Sequence, residues 1–245
     1  MENQGRTTLQ GKAILIGNSD GIGLATTKRL LASGWDVVGI SRSASPIAAR
    51  TYRHYVADVS VTEYPELLHE LVLAGPPDLC VYFVGIGEAL NPTDMRDESR
   101  VVDVNLTCMV KTAAEVIPCM VKNGHGHFIG ISSLADDLPS AEAPSYSASK
   151  AGFSSYLYGL ARALRPSGIH VTNIRFGFVD TKMAKAKCRP FMMSVEKAVD
   201  HLERCIDRKP ISYTAPLIAI PMITLIKLIT RLQGAVEQTR KIPHG

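Results

Sequence analysis

The feature that most constrains this chain is a regular alternation of short apolar runs with longer amphipathic stretches. KAILIG (12–17) leads into a Gly-rich turn and a helical stretch reaching about Ser33, and WDVVGIS (35–41) and YRHYVAD (52–58) read as the second and third strands. A helical segment over 62–74 stops at Gly75-Pro76-Pro77, and LCVYFVG (79–85) is apolar throughout, as a strand covered on both faces must be. A long helical pattern over 96–122 with Pro118 inside it, a strand at 127–132, a helix at 146–165 and a strand at 169–176 complete the series. Strands that alternate with helix-length segments imply a parallel sheet wrapped by crossover helices. No linker, repeat or low-complexity tract divides the 245 residues. The expectation is one domain over 11–245 with a loosely held 1–10.

Composition removes several alternatives. A formal charge of +4 is too small and too scattered to suggest nucleic acid. Five cysteines, an odd number without CxxC spacing, argue against a disulfide framework or zinc site and for a reducing compartment. The N-terminal MENQGRTTLQ lacks the apolar stretch of a signal peptide, so cytoplasm is the expected location. The most lipophilic window, 215–232, is interrupted by Pro221, Lys227 and Arg231; it reads as a buried or interfacial apolar helix and the only place for membrane contact. His125-Gly126-His127 offers two imidazoles without a third ligand, and no metal is expected.

Gly17-Asn18-Ser19-Asp20-Gly21-Ile22-Gly23 lies between the first strand and the first helix. Glycines there let the backbone turn tightly and approach a pyrophosphate, and the helix N-terminus offers N–H groups and partial positive charge. About 20 residues on, where an acid would favour NAD, the second strand ends in Ser41-Arg42. A guanidinium suits a phosphate dianion, so NADP(H) is expected over NAD(H). Asp58, ending the third strand, is placed to reach the adenine amino group.

Tyr146-Ser147-Ala148-Ser149-Lys150 opens a helix, and residues four apart share a face. A phenol beside a fixed cation is expected to titrate below its usual value near 10 and to exchange a proton near neutrality. Ser133, at the end of a strand, would hold a substrate carbonyl. Asn105, flanked by apolar residues inside a helical pattern, needs partners for its amide.

With these residues in hand, the sequence resembles the short-chain dehydrogenase/reductase family from Lys12 to about Cys205, through Gly17-xxx-Gly21-Ile22-Gly23, Asp58-Val59, Asn105, Ser132-Ser133, Tyr146-xxx-Lys150 and Gly177-xxx-Thr181. The resemblance implies an α/β Rossmann-type doubly wound domain with a seven-stranded parallel sheet of order 3-2-1-4-5-6-7. It implies a catalytic tetrad of Asn105, Ser133, Tyr146 and Lys150. In it Tyr146 is the general acid/base, Ser133 fixes the carbonyl, Lys150 holds the nicotinamide ribose and acidifies the phenol, and Asn105 holds a relay water. The implied cofactor contacts add Ser19, Asp20, Ile22, Val59 and Gly85, with Gly177, Val179 and Thr181 toward the carboxamide. The chain departs from the family where Tyr82-Phe83-Val84 replaces Asn-Asn-Ala, Phe176 replaces a Pro and Ile16 a Thr. It also lacks the C-terminal strand ending in Asp-Gly-Gly, so a homodimer through the 96–122 and 146–165 helices is expected rather than the usual tetramer.

The resemblance makes 181–210 a substrate lid. Its Met183, Phe191, Met192 and Met193, with Leu134 and Leu138 opposite, suit a lipophilic ketone or aldehyde. Lys182, Lys185, Lys187 and Arg189 would suit an anionic thioester, while Asp136 and Asp137 leave open solvent exposure or a polyol or cationic group. The expected activity is NADPH-dependent carbonyl reduction or the reverse alcohol oxidation; the alternative is a non-catalytic NADP(H)-sensing binding protein of the same fold.

Overall fold

Strands that are apolar on both faces require helices on both faces, and the chain supplies them alternately. The structure, a computed structural model, describes residues 10–183, 189–218, 220, 221, 223 and 224. Strands β1 (Lys12–Ile16), β2 (Asp36–Ser41), β3 (Tyr52–Val56), β4 (Leu79–Tyr82), β5 (Gly126–Ser133), β6 (Ile169–Phe176) and β7 (Ser212–Ala215) form one sheet. Its order is β3-β2-β1-β4-β5-β6-β7, and every adjacent pair is parallel. The chain moves outward from β1 to β3, then returns to lay β4 on the other side of β1. That reversal opens a crevice at the carboxyl ends of β1 and β4.

Alternate residues of each strand enter opposite cores. Ile14, Ile16, Val38, Ile40, Cys80, Tyr82 and Phe128 face α2 (Tyr64–Leu73), α4 (Cys108–Asn123) and α5 (Pro144–Leu164). Ala13, Leu15, Val37, Leu79, Val81, Ile129 and Ile131 face α1 (Gly21–Ala32) and α6 (Val195–Arg208). Leu157 and Phe153 of α5 press so closely on β5 that a Cβ on Gly130 would lie 2.5 Å from Leu157 Cδ1 and 2.6 Å from Phe153 Cε1.

Three elements differ from the sequence reading. The helix expected over 96–122 is α3 (Arg96–Val102), a π-helical turn (Asp103–Thr107) and α4, with Pro118 retained inside α4. The wider turn accommodates Asn105, a poor helix former, with its amide turned inward. The second half of the expected 181–210 lid is α6, capped by Ser194 and burying Ala198, Val199, Leu202 and Cys205. The seventh strand is Ser212–Ala215, immediately before the apolar segment and without Asp-Gly-Gly. Of 215–232, Leu217, Ile218 and Ile220 are exposed and Ile223 is buried; the part from 225 onward and residues 1–9 lie outside the described residues.

Tyr82 shows how the altered strand-four sequence supports the sheet: fully buried, it donates its hydroxyl to the Val104 carbonyl at 2.9 Å. Val84 covers Gly17, whose φ of +87° suits glycine. Gly130→Ala should lower stability by about 1–3 kcal/mol through overpacking, read as an earlier denaturant midpoint with an unchanged slope.

Candidate active site

All the carboxyl ends of a parallel sheet share one edge, so the topology alone gathers residues distant in sequence. The Gly17–Gly23 turn with Ser19 follows β1, Ser41 ends β2 and Arg42 follows it, Asp58 and Val59 follow β3, and Gly85 follows β4. Ser133 ends β5, Gly177, Val179 and Thr181 follow β6, Tyr146 and Lys150 lie in the first two turns of α5, and Asn105 lies in the π turn.

The turn is built by close approach. A Cβ on Gly23 would sit 2.3 Å from the Gly17 carbonyl oxygen, and one on Gly21 would meet the Thr181 methyl at 3.2 Å. Asp20 caps α1 by accepting the Gly21 N–H at 2.8 Å, and its other oxygen pairs with Lys182 at 2.6 Å. The Lys182 hydrogen bond holds the Asp20 carboxyl below its ordinary pKa, though both side chains are more than half exposed. Ile22 packs against the α1/α6 core, and Val59 is buried in the opposite one.

A polar chain ties this turn to the tip of β2. Asn18, fully buried, donates to Thr27 Oγ1 at 3.0 Å and to Tyr52 OH at 2.8 Å, and Thr27 donates to the Gly23 carbonyl at 2.8 Å. Tyr52 OH lies 3.0 Å from His54 Nδ1, and His54 Nε2 lies 3.0 Å from the Ser43 carbonyl and 3.3 Å from Ser41 Oγ. A carbonyl only accepts, so Nε2 carries the proton and Nδ1 accepts from Tyr52. Gly39 makes room: a Cβ there would be 2.2 Å from Asn18 Nδ2. Asp58 Oδ1 accepts from Ser60 N and Oγ at 2.9 and 2.7 Å. Burial pushes its carboxyl pKa up, but the two Ser60 bonds together with Arg42 and Arg100 bring it below the ordinary value.

At the other end of the site, Asn105 Oδ1 accepts from Ile86 N at 2.7 Å, while its amide donates to the Ile86 carbonyl at 2.9 Å and Ser149 Oγ at 3.0 Å. Both amide hydrogens are used, so any water the side chain holds must bind the second lone pair of Oδ1. A Cβ on Gly85 would lie 3.5 Å from Lys150 Nζ, 3.6 Å from Asn105 Oδ1 and 3.4 Å from Met183 Cε; one on Gly87 would lie 3.3 Å from the Tyr146 ring. Glycine at 17, 21 and 23 lets the turn close on Val84, Thr181 and its own backbone at the α1 N-terminus, and glycine at 85 adds no side chain beside Lys150 Nζ and Asn105 Oδ1; this placing of small residues along one sheet edge fits the close approach of a dinucleotide.

The electrostatics of the pair differ from the expectation of an acidified phenol. Burial raises the Tyr146 pKa above its ordinary value, with a hydrogen bond from Ser133 working the other way and Asp136 adding to the rise. Lys150 Nζ is buried, donates to the Ile131 carbonyl at 3.0 Å and stands 4.8 Å over the Phe153 ring. Burial lowers its pKa to about 8. The reason is physical: the cation expected to stabilise phenolate is itself desolvated and turned to a β5 carbonyl.

Other expectations are also corrected or resolved. Met193 is core, 7% exposed and bridged to Val179, whereas Met183, Phe191 and Met192 are exposed. Leu134 reaches Gly177. Asp136 and Asp137 both pair with Arg175, and neither His125, on Asp78 at 2.8 Å, nor His127, on Thr172 at 2.8 Å, shares a partner with the other. Lys185 and Lys187 lie outside the described residues. Sequence reasoning missed Asn18, Tyr52, His54 and Ser149; Tyr52 and His54, two apart on a strand, carried the signal of a shared polar face.

A sequence profile described as short chain dehydrogenase matches residues 12–190. An uncharacterised oxidoreductase of Myxococcus xanthus is 30% identical over 85% of this chain and 89% of its own length. A 3-oxoacyl-acyl-carrier-protein reductase of Vibrio cholerae is 30% identical over 73% of this chain and 78% of its own. A short chain dehydrogenase from Burkholderia cenocepacia, solved with NADP, superposes with a TM-score of 0.79 at 18% identity, covering 96% of this chain and 99% of its own. The chain belongs to the short-chain dehydrogenase/reductase family of NAD(P)-dependent oxidoreductases.

Lys150 gives the site a stability signature. Its folded pKa of about 8 lies below the ordinary lysine value of 10.5, so between those values the unfolded chain binds the extra proton and stability rises with pH. Relative to Lys150→Met, the wild type should gain roughly 3 kcal/mol as pH climbs through that window, measured by denaturant unfolding of both proteins across the range.

Proposed function

We propose that the protein is an NADPH-dependent carbonyl reductase, or the reverse alcohol dehydrogenase, acting on a lipophilic ketone or aldehyde with Tyr146 as general acid/base. The observation that carries this reading is the hydrogen bond of Ser133 with Tyr146 at the carboxyl end of the sheet, with Lys150 one turn along the same helix. The names of the Vibrio reductase and of the Burkholderia complex with NADP are in keeping with it.

When bound, the reduced nicotinamide supplies hydride. The chain's own residues do the rest. Gly85, Lys150 and Asn105 border the place for the nicotinamide ribose, and Lys150 is the cation there. Ser133 Oγ and the Tyr146 phenol converge on a substrate carbonyl oxygen. A phenol whose pKa is raised by burial stays protonated at neutral pH, so it enters the reaction as the acid and donates its proton to the developing alkoxide. Orientation and proton donation then supply the rate, without a covalent intermediate. Leu134 and Met183 give the reacting end an apolar lining, which favours a lipophilic substrate. Arg42 at the β2 tip is the cation that would select the 2′-phosphate. The same reading takes the protein as a cytosolic homodimer or higher homo-oligomer, joined through the 96–122 and 146–165 helices.

Tyr146→Phe should abolish NADPH-dependent turnover of a carbonyl panel while leaving NADPH binding by fluorescence within about two-fold of wild type; full activity in that variant would end this mechanism. Binding without turnover in the wild type, in either direction, would favour the cofactor-sensing alternative. Arg42→Ala should weaken NADPH selectively, by about ten- to a hundred-fold for a charge-assisted phosphate contact, with NADH unchanged. Equal losses for the two cofactors would refute the role given to Arg42.

A further inference from the structure

The acids that follow Ser133 take no part in the chemistry above, yet they are built into its frame. Tyr146, Lys150 and Ser154 stand at successive i, i+4 positions on one face of α5. Ser154, buried, donates to Asp136 Oδ2 at 2.5 Å. A carboxylate only accepts, so Ser154 Oγ must accept from Asn173 Nδ2 at 2.9 Å and from Ser132 Oγ at 2.9 Å. Asp136, 4% exposed, is gripped by Arg175 of β6 through Nε at 2.7 Å to Oδ2 and through Nη2 at 2.6 Å to Oδ1. Arg175 Nη2 also bonds Asp137. One buried carboxylate therefore joins the residue before Ser133, the third residue of the Tyr146–Lys150 stripe and the neighbouring strand.

We propose that Asp136 is a positioning residue for proton transfer, clamping the Ser133 end of β5 to the Tyr146–Lys150 face of α5 and setting a buried negative charge beside the phenol and the ammonium. This rests on the reading of Tyr146 as proton donor. The charge has the sign the task requires. Asp136 adds to the rise in the Tyr146 pKa and opposes the fall in that of Lys150, so it favours the protonated form of both. Among the described residues, the other charged groups packed about Asp136 and the head of α5 are Lys150 on that helix, Arg175 on β6, Asp137 beside Asp136, and Glu98 of α3, which accepts the Ser145 N–H at 3.3 Å.

Asp136→Asn removes the charge while keeping the shape, and Asp137 still partners Arg175. The tyrosinate absorbance of the cofactor-free protein, taken as each protein minus its Tyr146→Phe counterpart, should titrate at lower pH in Asp136→Asn than in wild type. The high-pH limb of kcat/KM for carbonyl reduction should move the same way. Asp136→Glu should restore both, and Ser154→Ala, which loosens the clamp but keeps the charge, should lower kcat/KM without moving the limb. If Asp136→Asn does not fold, Arg175→Gln, which leaves the carboxylate less opposed, should move the limb to higher pH. An unmoved titration and limb in whichever of these folds, with Tyr146→Phe inactive, overturns the role of Asp136 alone; an active Tyr146→Phe overturns the proton-donor reading instead.

Discussion

The bond from the Lys150 ammonium to the Ile131 carbonyl is the contact on which the rest of the site depends. It crosses from α5 to β5 at a point sealed from water, where an unpaired charge would be costly. It therefore fixes both how deep the helix sits on the strand and which way its stripe of functional side chains faces. Gly130 beneath Phe153 and Leu157 allows that depth, and Ser154 one turn later repeats the tether through hydroxyls. Tyr146 meets Ser133 because the helix carrying it has no freedom to slide.

Deep seating has an electrostatic cost that shapes the chemistry. A buried ammonium is a weak acid made stronger, and a buried phenol a weak acid made weaker. On the proposed reading of Tyr146 as proton donor, burial favours a phenol that keeps its proton until an alkoxide forms, rather than a standing phenolate.

Much of this was legible in the amino-acid pattern. Apolar runs such as LCVYFVG can only be strands covered twice, and Gly17, Gly21 and Gly23 between a strand and a helix mark a close backbone approach. Tyr146 and Lys150, four apart, had to share a face. What escaped was decided by tertiary context. Asn105 reads as a misfit in a helix because a π turn leaves no mark in periodicity, and α6 was hidden inside a stretch read as lid. Asp136 and Asp137 resist interpretation until Arg175, distant in sequence, is brought beside them by the pairing of β5 with β6. Spacing reveals that the phenol and the ammonium are near one another, but not the loss of water around both groups.

The hydrogen-bonded relay from Thr27 through Asn18, Tyr52 and His54 to Ser43 has a bearing on redesign. It ties the loop after the first strand to the loop after the second, through α1 and β3. Changing only the residues at 41 and 42 would leave that tie in place, since Asn18, Tyr52 and His54 hold it and Gly39 makes the room for Asn18; positions 18, 39, 52 and 54 are therefore coupled in any redesign of this end of the site.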